Sequence, residues 1–146
     1  MPTHARPADA DQISGETAAV DLVLAYLTRT VPAAPALSPL AADYMERQAS
    51  GLLSGAVMLD PDVSLDRRAL MPPAGLAWLE SVSMCETVAA AVRALAGDGA
   101  DRLSPLPQEE RVMALALSAA ARLAALYEPA EGVRRLHKVR DVVSRP

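Results

Sequence analysis

The sequence predicts an all-α fold, a bundle of five helices arranged around one helix, near 108–128, that is apolar on most of its faces. Three observations carry this. Apolar residues make up 51% of the chain, and most of them are Ala and Leu, which favour helix. Phe is absent and aromatic residues are 3% of the total, so the side chains that pack best on pleated sheets are scarce. Apolar positions recur at three- and four-residue intervals in successive segments, with no strand-like alternation and no internal repeat.

The 146 residues are enough for one domain to bury roughly two-thirds of its unfolded surface without a disulfide or a metal. Residues 1–12 are polar, contain Pro2 and Pro7, and read as a flexible tail. Residues 13–146 read as a single helical domain. The first helix is expected to start at Asp11 or Ser14 and to run to Thr30, with Ile13, Val20, Val23, Leu24, Leu27 and Val31 at helical spacing. Three prolines in Val31–Pro39 end it. Ser38-Pro39 then supplies a capping hydroxyl and a proline at the first helical position. The second helix should reach about Met58, on a stripe of Leu40, Tyr44 or Met45, Ala49, Leu52, Leu53 and Ala56. Gly51 and Gly55 lie four apart within it, which suits a frayed or kinked end, or close packing of another backbone.

A short sixth helix at Ser64–Leu70, between the Asp60-Pro61-Asp62 turn and Pro72-Pro73, is the alternative to a five-helix count. The third helix is expected to run unbroken from Pro73 or Ala74 to Ala96. Its seam is Trp78, Val82, Cys85, Ala89, Val92 and Ala96, flanked by Leu79, Val88 and Leu95 and closed by Gly97-Asp98-Gly99. Ser104-Pro105 and Pro107 open the fourth helix, with Gln108, Glu109 and Glu110 at its positive dipole end. From Val112 to Tyr127 only Ser118, Arg122 and the tyrosine hydroxyl are polar, the signature of a helix surrounded by others. Arg122 must either snorkel out between neighbours or pair with a buried carboxylate. After Pro129, Glu131–Ser144 forms the fifth helix, with Val133, Leu136, Val139 or Arg140, and Val143 facing inward.

The formal net charge of −4 argues against a whole-surface nucleic-acid or membrane footprint. The charge is uneven. Gly132–Pro146 sums to +4, leaving −8 on the rest. Cys85 is the only cysteine, which rules out an intrachain disulfide and a thiolate-rich zinc site and fits a cytoplasmic setting. Met1–Asp11 lacks the apolar stretch of a signal peptide. The longest apolar run, Val112–Leu126, holds Arg122 and falls short of the roughly 20 residues that span a bilayer.

The chemistry-bearing residues do not assemble into a motif. Asp60, Asp62, Ser64 and Asp66 match the first ligand positions of a calcium loop, but Leu65 and Met71 stand where the glycine and the bidentate carboxylate belong. His4 and His137 are isolated. Cys85 sits on an apolar seam, where a thiol is inert. Glu80 and Glu86 point to different faces, while Glu109 and Glu110 are explained by the helix start. There is no phosphate-cradling glycine loop and no nucleophile-elbow or zinc-protease motif. No catalytic, cofactor-binding or metal-binding residue is therefore expected. The best candidates are the cations Arg134, Arg135, Lys138 and Arg145, able to contact phosphates or an acidic partner.

Leu106-Pro107-Gln108-Glu109-Glu110-Arg111, followed by Val133-Arg134-Arg135-Leu136-His137-Lys138-Val139-Arg140, resembles the DNA-binding helix–turn–helix region of extracytoplasmic-function sigma factors. It departs from that pattern in lacking several residues before the turn and in the Tyr127–Gly132 lead. Asp21–Leu53 is similar in rhythm to the helical domain of zinc-binding anti-sigma factors. That family's histidine and cysteine ligands are missing here, so its zinc site is not carried over. Neither resemblance assigns a family. The expectation is a small helical protein-interaction or regulatory module, non-enzymatic, with a protein partner or a second copy of itself. The alternative is a nucleic-acid-associated regulator using the basic helix 132–145.

Overall fold

The computed structural model describes residues 8–30, 37–54, 73–82, 88–90, 92 and 106–144. Every regular element among them is α-helical: α1 (Ala8–Thr28), α2 (Pro39–Ser54), α3 (Pro73–Glu80), α4 (Gln108–Leu126) and α5 (Pro129–Val143). Residues 88–90 and 92 are also helical.

Helix α1 begins before the expected Asp11, so Ala8–Gln12 are helical. Tertiary contact explains the difference. The Ser38 hydroxyl donates to Asp11 Oδ1 at 2.8 Å, and Gln12 Nε2 donates to Glu16 Oε2 at 3.3 Å. These bonds hold a first turn that polarity alone marks as loose. At its other end α1 stops at Thr28. Arg29 turns left-handed (φ 61°), with Arg29 N–H donating to Tyr26 O at 3.2 Å and Thr30 N–H to Ala25 O at 2.9 Å. This is a Schellman stop, here built on an arginine where glycine is usual.

Ser38 caps α2 as its sequence predicts, accepting from Ala41 N–H at 3.1 Å. The described helix runs to Ser54, whose hydroxyl donates to Gly51 O at 2.9 Å, and the expected end near Met58 lies outside the described residues. Its buried residues are Ala41, Ala49 and Leu52, whereas Leu40 is exposed. The register is set by α1. A Cβ on Gly15 would stand 2.2 Å from Ala41 O and 2.9 Å from Met45 N, so the two backbones touch where only a hydrogen fits. The close approach thus falls on Gly15 and not on Gly51, around which a Cβ meets nothing within 4 Å. Gly55 lies outside the described residues.

The unbroken third helix is not found. Helix α3 ends at Glu80, and Ser81–Val82 form a turn, with Ser81 N–H bonded to Trp78 O and Val82 N–H to Leu79 O, both at 3.1 Å. The Ser81 hydroxyl also donates to Trp78 O at 2.5 Å, taking a carbonyl that a continuing helix would use. Leu79, Val88 and Val92 are buried among the described residues of this stretch. Cys85, the Ser64–Leu70 helix and the Asp60–Asp66 turn lie outside the described residues.

Helix α4 packs against each of the other four described helices. Of Val112–Leu123, eleven residues are buried, and they serve three faces. Ala116, Ala119, Ala120 and Leu123 meet Val20, Val23, Leu52, Leu136 and Val139. Ala114, Leu117 and Ala121 meet Leu79, Val88 and Val92. Leu115 meets Ala19 and Ala49. Small alanines let neighbours approach closely on every side. Burial at this density stabilises by ~25 cal/mol per Å² of apolar surface.

Candidate interaction surface

The chain leaves α4 at Tyr127, whose extended backbone (φ −132°, ψ 155°) ends the helix. Pro129 then opens α5, where its missing N–H costs nothing. Proline is thus the start of the fifth helix as well as the breaker of the fourth. Helix α5 docks through Gly132, Leu136 and Val139, all buried. A Cβ on Gly132 would come within 3.2 Å of Leu27 Cδ2, so the missing side chain draws α5 onto α1. This inward face fixes the outward one: Arg134, His137, Lys138, Asp141 and Val142 are exposed.

The cations of α5 fall into two groups. Arg134 grips Glu131 with two bonds, Nε to Oε1 at 2.9 Å and Nη2 to Oε2 at 2.6 Å. Arg135 reaches the same carboxylate at 2.8 Å and lies 4.3 Å from the Tyr127 ring centroid. Arg134, and further Arg135, hold the Glu131 carboxyl down at about 2. Arg140, an alternative inward residue by sequence, instead ties α5 to α1 through Asp21 Oδ1 at 2.7 Å, and that bond raises its own pKa. The predicted contact residues are therefore not one uniform patch. Arg134 and Lys138 share the outward face one turn apart, Arg135 is half-buried against Tyr127, and Arg145 lies outside the described residues.

Elsewhere the charged groups serve the fold. Arg122 is 6% exposed, so it does not snorkel. Its Nη1 donates to Leu53 O in the last turn of α2. Ser118, one turn earlier on the same face, is fully buried and its hydroxyl has no hydrogen-bond partner among the described residues. Arg29 lies 4.9 Å from the Trp78 ring centroid and donates to Ser81 Oγ at 2.6 Å and Ser81 O at 3.3 Å. Arg111 binds Glu46 through Nε at 3.0 Å and Nη2 at 3.1 Å, while Gln108 Nε2 donates to Asp43 at 2.8 Å and Glu46 at 3.1 Å. The Arg111 bond dominates Glu46 and holds its carboxyl below the ordinary value.

Sequence reasoning missed two surface residues. Leu40 is 44% exposed and Val142 67%. For Val142 the signal is its place beside the inward pair Val139 and Val143, a helix step out of their register. For Leu40 it is Ala41, the smaller neighbour that Gly15 demands.

Among the described residues no cluster of histidine, cysteine and carboxylates could hold a metal ion, and no helix is long and apolar enough to cross a membrane. His4 and Cys85 lie outside them. No family model, curated protein or solved structure matches the chain.

Proposed function

We propose that this chain is a small helical protein-interaction or regulatory module without chemistry of its own, built as a five-helix bundle centred on α4, and that it meets an acidic protein surface through the outward face of α5. One observation carries the reading. Helix α5 spends its apolar residues on α1 and α4 and presents Arg134, Lys138 and the 67% exposed Val142 to solvent. Lys138, with Arg134 one turn away on Glu131 and Asp141 beside the apolar Val142, suits a partner segment that carries carboxylates and an apolar contact. The cations steer encounter, and the apolar contact adds the burial that holds it. The test is a photo-crosslinking residue at position 138, compared with one at the exposed Ser50 of α2, in the full chain expressed in its own cells. A discrete protein adduct from position 138 alone is expected. Equal adducts from both positions, or none from either, would overturn the reading.

The second reading is phosphate recognition on a nucleic acid, favoured by Arg134 and Lys138 standing one turn apart on one exposed face. Against it, Arg134 and Arg135 already share Glu131, and Arg140 is held by Asp21. It predicts salt-sensitive binding whose logarithmic slope drops by about one unit per lost phosphate contact. Filter binding at low salt with no DNA or RNA retained ends it.

A further inference from the structure

We propose that α3 is a clasp: a short helix that opens from the side of α4 as one unit while the rest of the bundle stays folded, its closed state set by the grip of Arg29 on Trp78 and Ser81. The inference goes beyond the reading of α5 and does not depend on it.

The first observation is the shallow seat of α3. With eight residues it is the shortest of the five helices, and it rests mainly on α4. Of residues 77–80 only Leu79 is buried, in the cluster of Ala114, Leu117 and Ala121. Trp78 is partly buried, and Ala77 and Glu80 are exposed. Helix α4 buries eleven residues between Val112 and Leu123. The buried cluster that joins α1, α2, α4 and α5 holds no residue of α3, and Trp78 adds only a partly buried ring to it. An element with little buried apolar surface and solvent-exposed hydrogen bonds opens at a lower free energy than the core it lies on.

The second observation is the residue that closes α1. The turn needs a left-handed backbone at position 29 (φ 61°), which glycine adopts freely and a residue with a side chain adopts under strain. The hydroxyls on either side turn back into α1. Thr28 Oγ1 donates to Leu24 O at 2.7 Å and Thr30 Oγ1 to Ala25 O at 3.4 Å. Arg29 reaches across instead. Its Nη2 donates to Ser81 Oγ at 2.6 Å and its Nη1 to Ser81 O at 3.3 Å, with the guanidinium 4.9 Å from the Trp78 ring centroid. The Ser81 hydroxyl passes the grip on to Trp78 O. Arg29 and Ser81 are both exposed, so the grip breaks without opening the core beneath. Favourable contacts to α3 thus offset a strained cap on α1, and the two helix ends hold or release together.

Native-state hydrogen exchange on the full chain, in rising sub-denaturing urea, tests this. In the wild type the amides of α3, Ser81 and Val82 should exchange through an opening that urea barely changes. Those of α4 should exchange only through an opening as urea-sensitive as global unfolding. Arg29→Gly separates the two roles of this residue, since glycine keeps the left-handed turn and lacks the guanidinium. It should speed exchange in α3 about fivefold. The relaxed turn stabilises the closed and opened states alike against unfolding, so exchange in α4 should change less. One shared urea dependence for α3 and α4, an α3 that Arg29→Gly leaves unchanged or slows, or equal acceleration in both helices would overturn the proposal. Circular dichroism checks the fold. If Arg29→Gly unfolds, Ser81→Ala replaces it and removes the gripped hydroxyl. Faster, still urea-insensitive exchange in α3 is then expected, and unchanged exchange there overturns the clasp.

Discussion

Helices α4 and α5 are neighbours in the chain, 19 and 15 residues long, and they treat charge in opposite ways. Helix α4 buries its one central cation. Arg122 points at the carbonyl end of α2, a helix with no basic residue in its own last turn. Helix α5 keeps its cations at the surface and spends them on Glu131 within the helix, on Asp21 of α1, and on solvent. The difference teaches where function can reside. A cation committed to the fold in a low-dielectric interior cannot be given to a ligand without a large loss of stability, whereas a surface cation can. Arg29, although exposed, is also engaged by another helix. It leaves α1 in a left-handed turn to serve the carbonyl of Ser81 just past α3, another helix whose last turn lacks a base. Cations from one helix thus complement the negative ends of others.

The largest effect expected from this contrast is in packing. Leu117 is 1% exposed, and Leu117→Ala should lower stability by about 2–5 kcal/mol, through lost transfer energy and the cavity left behind. Val142→Ala should change it by less than about 0.5 kcal/mol. Urea denaturation of both variants checks this. A Val142→Ala loss comparable to that of Leu117→Ala would mean that α5 turns a different face outward.

Arginine gives the next contrast. Arg122→Ala removes a buried charge-assisted hydrogen bond and strands the Leu53 carbonyl, a loss of about 2–4 kcal/mol. Arg134→Ala breaks an exposed pair within one helix and should cost under about 1 kcal/mol. If the two losses are equal, Arg122 is hydrated and α4 is not closed to solvent on its α2 side. Ser118→Ala sharpens the same face. Its buried hydroxyl has no partner among the described residues, so removing it should leave stability unchanged or raise it by up to about 1 kcal/mol.

The sequence made α4 and the start signals of α2 and α5 legible because they are local. An Ala- and Leu-rich run with two polar interruptions has few other fates, and Ser38-Pro39 and Pro129 act through their own backbone. The rest depends on partners distant in sequence. Trp78 to Ala96 keeps helical spacing, yet the helix breaks at Ser81, where a serine hydroxyl and the guanidinium of Arg29, 52 residues earlier, take the local carbonyls. Leu40 looks like a core residue until Gly15 of α1 brings Ala41 against it. The α5 cations could be found from composition. Their division into outward and committed residues could not, because Asp21 lies 119 residues from Arg140.

The smallest effect concerns acid, and it too separates the two helices. Glu46 and Glu131 both have depressed carboxyl pKa values, the first through Arg111 of α4 and the second, at about 2, through Arg134 of α5. A carboxyl depressed on folding contributes stability above its ordinary value of 4.5, and that contribution is lost as pH falls through the folded-state value. The Glu46 bond joins α2 to α4, so its loss weakens the packing of two helices. Glu46→Gln should therefore flatten the part of the stability–pH profile that lies below 4.5. The Glu131 bonds lie within α5, the Arg134 pair exposed and the Arg135 bond part-buried, and ion pairs within one surface helix contribute little to global stability. Glu131→Gln should leave the global unfolding midpoint in place across the same pH range, while freeing Arg134 and Arg135 from one carboxylate. Thermal melts at stepped pH measure both. A midpoint shift for Glu131→Gln as large as that for Glu46→Gln would show that the surface pairs of α5 hold the bundle together, and the division between a committed helix and an outward one would not stand.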